Sequence, residues 1–243
     1  MGRILALVYG AVCYLTFFIT FLYAIGFVGD LVVPIDIDFG ARRSSAEALL
    51  INLVLLGIFA VQHSVMARPG FKKWWTRIVP HPVERSTYVL LSSLALILLF
   101  TYWQPMPGRV WSVQNDIART AVWAVFWLGW VIVLVGTFLI SHFDLFGLRQ
   151  VYFYLKGREY QHFEFRTPFL YRLVRHPIML GFVLAFWAAP DMSVGHLVFA
   201  VATTVYILIA LQLEERDLVM YHGAAYTEYQ QQVSMLLPLP KRK

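Results

Sequence analysis

The chain has 243 residues, of which 59% are hydrophobic and 14% are charged, and its formal net charge is +6 at pH 7. Soluble domains are about 45–50% apolar and about 25% charged, so a soluble fold of this length could not bury so much apolar surface. The composition therefore indicates a membrane protein, and its positive charge is explained by basic cytoplasmic loops and not by a nucleic-acid partner. The single cysteine, Cys13, excludes an internal disulfide and any metal site that needs several cysteines.

Four apolar segments predict membrane-spanning helices in the first 140 residues. A transmembrane helix needs roughly 20 apolar residues, because the hydrocarbon core of a bilayer is about 30 Å thick. The segments are Ile4–Val28, Ala46–Met66, Ser86–Trp103 and Ala121–Ile140. The first segment is long enough to span and no clear cleavage site follows it, so we expect a retained helix and not a signal peptide.

The last apolar region, Ile178–Leu213, is longer than one span and is interrupted at residues 189–195. Pro190 and Gly195 in this interruption are typical of a turn, which predicts a helix-turn-helix hairpin. The fold class is therefore all-α: a polytopic integral membrane helical bundle with a C-terminal hairpin. We expect a single membrane domain over residues 1–243, with four transmembrane helices in 1–140 and the hairpin and C-terminal tail in 141–243.

Basic residues are distributed unequally between the two ends of these helices. Sixteen lysines and arginines fall on the side that carries the termini, and four fall on the other side, namely Arg42, Arg43, Arg109 and Arg119. Cytoplasmic loops carry an excess of lysine and arginine. We therefore expect an integral protein of the bacterial inner membrane with both termini in the cytoplasm.

Three polar clusters lie at the predicted cytoplasmic ends of the helices. They are Gln62-His63-Ser64, then Glu84-Arg85 with Tyr88, and then the stretch from His142 through Asp144 to Gln150. Polar groups inside a membrane are costly and mark functional sites by default. A structural role, in which such a group is hydrogen-bonded to a neighbouring helix, is the alternative for each of them.

Two motifs of opposite charge flank the hairpin. Pro177 is typical of the first turn of a helix, and the unpaired N–H groups there, beside Arg172 and Arg175, favour a carboxylate or phosphate. Glu214 and Glu215 lie at the end of a helix, where their charge opposes the macrodipole, so we expect a cationic partner or ligand beside them. A plain basic flank and a solvated acidic helix end are the alternatives.

The remaining C-terminal signals are aromatic. Tyr226 and Tyr229 share one face if this stretch is helical, and membrane anchoring is their alternative role. An anion-binding helix end with arginines, acids and aromatic rings suits a zwitterionic ligand that contains adenine. The sequence has no HExxH pair, no Gly-rich phosphate loop and no GxSxG motif, so no metal site is predicted.

These residues resemble the signature of the isoprenylcysteine carboxyl methyltransferase superfamily. The matching positions in residues 142–238 are His162, Tyr171, Arg175-His176-Pro177, Glu214-Glu215, Leu218, Gly223, Tyr226 and Tyr229. The chain departs from many members at Met179, where they have tyrosine. The polar clusters at Gln62–Arg68, Glu84–Tyr88 and His142–Gln150 resemble a narrower branch, the methanethiol S-methyltransferases and their NnrU-like relatives.

The resemblance implies S-adenosylmethionine as methyl donor, methanethiol as acceptor and dimethyl sulfide as product, with residues 141–243 as the cofactor-binding half. It implies that the cofactor is bound by His162, Tyr171, Arg175, His176, Pro177, Glu214, Glu215, Tyr226 and Tyr229. Activation of the thiol is assigned to Arg172, His142 or His63. The residues assigned to substrate binding are Gln62, Glu84, Arg85, Tyr88 and Gln150.

Two alternatives to this function stay open. A methyltransferase could act on another thiol or on a prenylcysteine carboxylate, which would need a wider pocket. An NnrU-like membrane protein could also be non-catalytic. A transporter is less favoured, because transporters often show inverted repeats and this sequence has none. The expected partners are a small volatile thiol and membrane lipid, and the sequence does not predict the oligomeric state.

Overall fold

The computed structural model describes residues 2–41, 43–161 and 165–238 and is almost entirely helical, which confirms the predicted all-α membrane bundle. The helices are α1 (Arg3–Gly29), α2 (Ser45–Ala67), α3 (Pro69–Trp75), α4 (His81–Tyr102), α5 (Asp116–Ile140), α6 (His142–Leu145), α7 (Leu148–Leu155), α8 (Pro177–Trp187), α9 (Val194–His222) and α10 (Ala224–Gln232). Among the described residues, five of them are long and apolar enough to cross a membrane: α1, α2, α4, α5 and α9.

The predicted hairpin is formed by α8 and α9. α8 is apolar but has 11 residues, and the segment between the two helices forms a strand, β2 (Asp191–Ser193). This strand pairs antiparallel with β1 (Arg109–Ser112), which lies between α4 and α5. Neither strand is predicted from the sequence, because three or four residues are too few for a recognisable alternating pattern.

The third spanning helix begins earlier than predicted. The apolar segment starts at Ser86, whereas α4 starts at His81 and includes Pro82 in its first turn. Proline is tolerated there because the first N–H groups of a helix have no partner within it. The extension places Glu84 and Arg85 on a regular helix and so fixes their direction relative to Tyr88.

The chain forms two compact units. The first is Met1–Pro107 with Ser141–His162, and the second is Gly108–Ile140 with Phe163–Lys243. In the first unit α4 packs against α1, α2 and α7. Its buried core includes a cluster of Ala6, Val83 and Val151 and a second cluster of Met66, Tyr88 and Val89. The assignment of 141–243 as a cofactor-binding half stays a prediction.

In the second unit α5 packs along α8 through small residues. A Cβ atom on Gly129 would lie 2.6 Å from the carbonyl oxygen of Gly181 and 2.7 Å from the backbone nitrogen of Ala185. The two backbones therefore approach more closely than any larger side chain allows, which is a common way for helices to associate in lipid. This contact holds the start of α8, and with it the Arg-His-Pro motif, in a fixed place.

Candidate functional site

The predicted site residues fall into two groups, one in each unit. The first unit contains Gln62, His63, Glu84, Arg85, Tyr88, His142 and Gln150. The second contains Tyr171, Arg172, Arg175, His176, Pro177, Glu214, Glu215, Tyr226 and Tyr229. The predicted residue His162 lies outside the described residues.

The second unit is organised around an ion pair between the two predicted motifs. Arg175 donates to Glu215 through Nε to Oε1 at 2.6 Å and through Nη2 to Oε2 at 2.9 Å. The side chains are 7% and 12% exposed, so the pair is largely buried. Two parallel bonds of this kind match the planar guanidinium to the carboxylate and are stronger than neutral hydrogen bonds. The cationic partner expected beside the two acids is therefore Arg175, but their predicted place at a helix end is wrong, because α9 continues to His222.

The same arginine holds the C-terminal segment. Its Nη1 donates to the carbonyl oxygens of Gln230, at 3.1 Å, and Val233, at 2.5 Å. Its backbone N–H donates to Ser234 O at 2.9 Å. All three guanidinium nitrogens thus have partners, so Arg175 joins the start of α8, the end of α9 and the segment after α10.

Glu215 gathers several further donors. His176 Nε2 lies 3.0 Å from Oε1, Tyr226 OH donates to Oε1 at 3.3 Å, and Gln230 Nε2 donates to Oε2 at 3.0 Å. The other ring nitrogen of His176, Nδ1, lies 3.9 Å from Glu214, whose side chain is 45% exposed. Glu215 is consequently enclosed by donors, whereas Glu214 keeps a carboxylate open to solvent or a ligand.

Aromatic rings line the same region. Tyr229 donates its hydroxyl to the carbonyl oxygen of Tyr171, and the ring of Phe165 lies 5.7 Å from Tyr226 and 5.5 Å from Tyr229. Burial raises the pKa of Tyr226, and the charge on Glu215 adds to this. Burial likewise raises the pKa of Tyr229 to about 12. Both phenols stay neutral hydrogen-bond donors at physiological pH. Sequence reasoning missed Phe165, which carries no motif of its own.

Two other predicted residues lie beside this network. Pro177 occupies the first turn of α8. Arg172 is exposed and donates through Nε to Thr167 O at 3.3 Å.

The polar network of the first unit centres on Asp144. Tyr160 OH donates to both carboxylate oxygens, at 2.8 and 3.0 Å, and Arg149 Nη1 lies 3.2 Å from Oδ1. Gln150 Nε2 donates to the backbone oxygen of Asp144 at 3.2 Å. Burial, together with the bond to Asp144, raises the pKa of Tyr160 to about 12, so its hydroxyl keeps its proton. Tyr160 is not predicted from the sequence, because a lone tyrosine in a loop belongs to no motif.

A second chain of contacts runs from Arg85 into the membrane helices. Arg85 donates through Nε to Leu145 O at 2.7 Å, and its guanidinium lies 5.0 Å from the ring centre of Tyr88. The Tyr88 hydroxyl is 3.0 Å from ring nitrogens of His63. Gln62 Nε2 donates to Met66 Sδ at 3.2 Å. The first two predicted polar clusters, on α2 and α4, are therefore in direct contact.

His142 lies in an aromatic cluster that we define as Tyr14, Phe17, His142, Phe143 and Phe146. The Tyr14 hydroxyl is 2.9 Å from His142 Nε2, and the Phe17 and Phe146 rings stack with centroids 3.8 Å apart. Burial lowers the pKa of His142 below its ordinary value of 6.5, so the imidazole is neutral at pH 7. A neutral imidazole among apolar rings can accept a proton from a small apolar acid.

The chain is similar to several known proteins. The NnrU protein family matches residues 50–232. A methanethiol S-methyltransferase of Mycobacterium tuberculosis is 58% identical over 100% of this chain and 99% of its own length, and one of Crocosphaera subtropica is 54% identical over 100% and 95%. Nurim of Rattus norvegicus is 31% identical over 72% of this chain and 70% of its own length. No solved structure matches the chain.

Among the residues that the structure describes, no group of three histidine, cysteine, aspartate or glutamate side chains could hold a metal ion.

The family match covers most of the chain, including both polar networks and the hairpin formed by α8 and α9. The chain therefore belongs to the NnrU protein family.

Proposed function

We propose that the protein is a methyltransferase that uses S-adenosylmethionine to convert methanethiol into dimethyl sulfide. The observation that carries the proposal is the similarity to relatives named methanethiol S-methyltransferase, which reaches 58% identity over the whole chain. The coarse activity, transfer of a methyl group to a thiol, rests on those names. The donor, the residues and the orientation rest on the site described above.

The second unit suits a donor that carries both an amino-acid end and an adenine. Glu214 is the acid with an open carboxylate, so it is the group that we assign to an ammonium or a ribose hydroxyl. The rings of Phe165 and Tyr226 can wall an adenine through stacking or edge contacts. When bound, S-adenosylmethionine would supply an electrophilic methyl group on its sulfonium.

Arg175 is predicted to bind the cofactor, but its guanidinium is already engaged by Glu215 and by backbone oxygens of the C-terminal segment. Because Arg175 and Glu215 satisfy each other, we assign them a positioning role, in which they fix Glu214 and the start of α8 at Pro177. His176 contacts Glu215 through Nε2 at 3.0 Å and lies beside Glu214, with Nδ1 at 3.9 Å. Tyr171, Tyr226 and Tyr229 complete the wall.

The first unit suits the acceptor. The thiolate is the reactive form of a thiol, so the site must take a proton from methanethiol. We assign this step to Nδ1 of His142, in the neutral tautomer whose Nε2–H donates to the Tyr14 hydroxyl and is held in place by it. The sequence-based alternatives are His63, which lies deeper, and Arg172, which as a cation would favour the thiolate without taking the proton.

A one-carbon thiol offers few atoms for recognition. Affinity is capped near about 1.5 kcal/mol per heavy atom even for the best small ligands. We therefore expect weak binding, with selectivity achieved by excluding larger molecules from the apolar rings of the aromatic cluster. Gln62 and Tyr88 adjoin this region through the core cluster that packs against Phe17 and Phe146. Substrate-binding roles for Glu84, Arg85 and Gln150 stay predictions.

The orientation of the bundle is part of the proposal. The sixteen basic residues of the predicted cytoplasmic side include Arg85, Arg149 and Arg175. We propose that both networks face the cytoplasm from the inner membrane, where S-adenosylmethionine is made available to them.

The direct test is gas chromatography of the headspace over cells that express the protein and are fed methanethiol. We expect dimethyl sulfide well above the vector control, and little of it from the His142→Phe variant. A series with ethanethiol and longer thiols should show activity falling as the chain grows. A flat series would favour the alternative of a larger thiol substrate.

Calorimetry with S-adenosylhomocysteine on the purified protein tests the donor. We expect binding in the wild type, weaker binding in Glu214→Ala and in Arg175→Ala, and unchanged binding in Arg43→Ala, an exposed arginine of the first unit. Binding without any dimethyl sulfide would leave a methyltransferase with another acceptor. Neither binding nor product would favour a non-catalytic member of the family.

A further inference from the structure

The first unit contains a polar cavity of about 420 Å³ that is lined by the predicted substrate-binding residues Glu84, Arg85 and Gln150 but does not match the proposed acceptor. Side chains of both charges line it, namely Lys72, Glu84, Arg85, Asp144 and Arg158, together with the amide of Gln150. A one-carbon thiol would leave most of this volume empty and would pair with none of these charges. We therefore expect the cavity to bind a ligand that is larger than methanethiol and carries charged groups.

Two acceptor atoms in its wall lack a donor. Glu84 Oε1 and Gln150 Oε1 are buried, and neither has a hydrogen-bond partner. The orientation of the Gln150 amide is well determined, because its Nε2 donates to Asp144 and a flipped amide would place two oxygens together. Buried acceptors are costly unless a donor reaches them. The occupant should therefore carry N–H groups, and the carboxylate favours a cationic one.

The same wall presents cations from three elements. Lys72 comes from α3, Arg85 from α4 and Arg158 from the segment after α7. Asp144 does not offset them for a ligand, because Arg149 and Tyr160 already engage its carboxylate. An occupant with a separate anionic group would be held by these cations. Together with the two acceptors, they define a site for a zwitterion with a primary ammonium and an anion.

The helix that contributes Lys72 has the composition of a membrane-interface helix. Phe71 and Trp75 of α3 pack against the core of the first unit, while the ring of Trp74 is 50% exposed. Lys72 and Lys73 lie between these rings. Tryptophan and lysine with this arrangement are typical of the headgroup level of a bilayer. The cavity thus opens where phospholipid headgroups are the most abundant zwitterions.

We propose that this cavity binds the headgroup of a phospholipid with a primary ammonium group, of the phosphatidylethanolamine type. The ammonium donates to Glu84 and Gln150, and the phosphate contacts Lys72, Arg85 and Arg158. Phosphatidylcholine has the same charges but no N–H donor, and phosphatidylglycerol has no cation for Glu84. The amino-acid end of the methyl donor carries the same two groups, so the test must separate these two sources.

The test uses the full chain in nanodiscs that contain equal amounts of phosphatidylethanolamine, phosphatidylcholine and phosphatidylglycerol with identical acyl chains. Native mass spectrometry of the protein released from them identifies the lipid that stays bound. We expect one phosphatidylethanolamine to be retained about tenfold more often than either competitor, the ratio that one well-made interaction can supply. Equal retention of the three lipids, or retention of none, contradicts the proposal.

Variants locate the bound lipid. Glu84→Gln should reduce the preference over phosphatidylcholine, and Arg158→Gln should reduce total retention. The matched control is Glu47→Gln, an exposed glutamate outside the cavity, which should behave like the wild type. Wild-type retention in both cavity variants would overturn the assignment. The wild-type comparison of lipids stands without any variant, so a misfolded variant does not remove the test.

Competition separates the two sources of the zwitterion. Saturating S-adenosylhomocysteine should leave the bound phosphatidylethanolamine in place. Displacement of one lipid by one molecule of S-adenosylhomocysteine would mean that the cavity holds the amino-acid end of the donor, and the lipid proposal would then be wrong. Because lipid binding is measured without methanethiol, failure of the proposed methylation would not affect this result.

Discussion

Arg175 and Glu215 lie 40 positions apart in the chain and meet through two parallel hydrogen bonds of 2.6 and 2.9 Å. One belongs to the Arg-His-Pro motif before α8 and the other to the Glu-Glu motif near the end of α9. The macrodipole does not account for it, because α9 continues to His222 and the two acids lie more than one turn before the helix end. The contact instead satisfies the buried carboxylate of Glu215. It also makes the C-terminal segment part of the site, since Arg175 holds that segment as well.

Removing the arginine should destabilise the protein. Arg175→Ala would leave Glu215 buried without its main partner, which costs about 3–5 kcal/mol for a buried pair. Arg175→Lys keeps the charge but loses the two-point geometry, so we expect an intermediate loss. The measurement is the thermal unfolding midpoint of the purified protein in detergent.

The matched control for this experiment is Arg43→Ala. Arg43 pairs with Glu47 at 2.5 Å, but both side chains are about half exposed, at 49% and 48%. Such a surface pair contributes at most about 1 kcal/mol. Equal losses in Arg175→Ala and Arg43→Ala would show that the Arg175 pair is not the buried brace described above.

The pH dependence of catalysis should report on His142. Burial lowers its pKa below 6.5, so the ring is neutral at pH 7 and gains a proton only under more acidic conditions. A base is inactive once protonated, so we expect kcat/KM for methanethiol to be flat near pH 7 and to fall at a pH below 6.5. Tyr14→Phe should lower kcat, because the hydroxyl no longer holds the ring.

The same shift has a consequence for stability with a definite sign. Because protonation is harder in the folded chain than in the unfolded chain, the contribution of His142 is present above pH 6.5 and is lost as the pH falls through the lower folded value. The unfolding midpoint of the wild type should therefore drop on acidification more than that of His142→Phe.

For the catalytic prediction, a fall of kcat/KM that begins above pH 6.5 would contradict the role of a buried neutral imidazole.

The close contact between α5 and α8 should tolerate no added methyl group. A Cβ on Gly129 would lie 2.6 Å from Gly181 O, so Gly129→Ala forces the helices apart. Overpacking of this kind costs about 1–3 kcal/mol. Gly57 in α2 is the control, because a Cβ there meets nothing within 4 Å, and Gly57→Ala should be neutral or stabilising. Equal unfolding midpoints for the two variants would refute the tight packing.

Hydropathy was sufficient to predict four of the five long helices, α1, α2, α4 and α5, because a bilayer requires about 20 apolar residues for each span whatever the tertiary structure. It placed the fifth, α9, within a longer apolar region. The turn chemistry around Pro190 and Gly195 was sufficient for the hairpin. Neither signal could predict the β1–β2 pairing, which depends on two loops far apart in the chain meeting in space. The boundaries of α4 were missed for a local reason, since the polar first turn lies outside the apolar segment.

Some contacts of the candidate site could be predicted from the sequence, and others depend on the tertiary structure. The opposite charges of Arg175 and Glu215 pointed to a partner for each, but the contacts of Arg175 with Gln230 and Val233 depend on how the tail folds back. Tyr14 could not be found from sequence. Aromatic residues recur through α1, and only the structure distinguishes the ring that touches His142 from those that face lipid.

The pairing of β1 with β2 bears on how the chain crosses the membrane. β2 lies at the turn of the hairpin, and its pairing with β1 places that turn on the side where α5 begins. The hairpin therefore reaches the side opposite to its own start, although α8 has 11 residues. Together with the four preceding spans, this predicts that both termini lie on one side of the membrane, and the sixteen basic residues there predict that this side is the cytoplasm.

Cysteine labelling of intact cells decides this orientation. The native Cys13 is buried, so a membrane-impermeant maleimide should give little background. We expect Arg109→Cys in β1 to be labelled from outside, because this residue is exposed and belongs to the side with four basic residues. Lys241→Cys, at a position outside the described residues, should be labelled only after the cells are permeabilised. Labelling of position 241 in intact cells would place the C-terminus outside, and the charge distribution would then not set the topology of this protein.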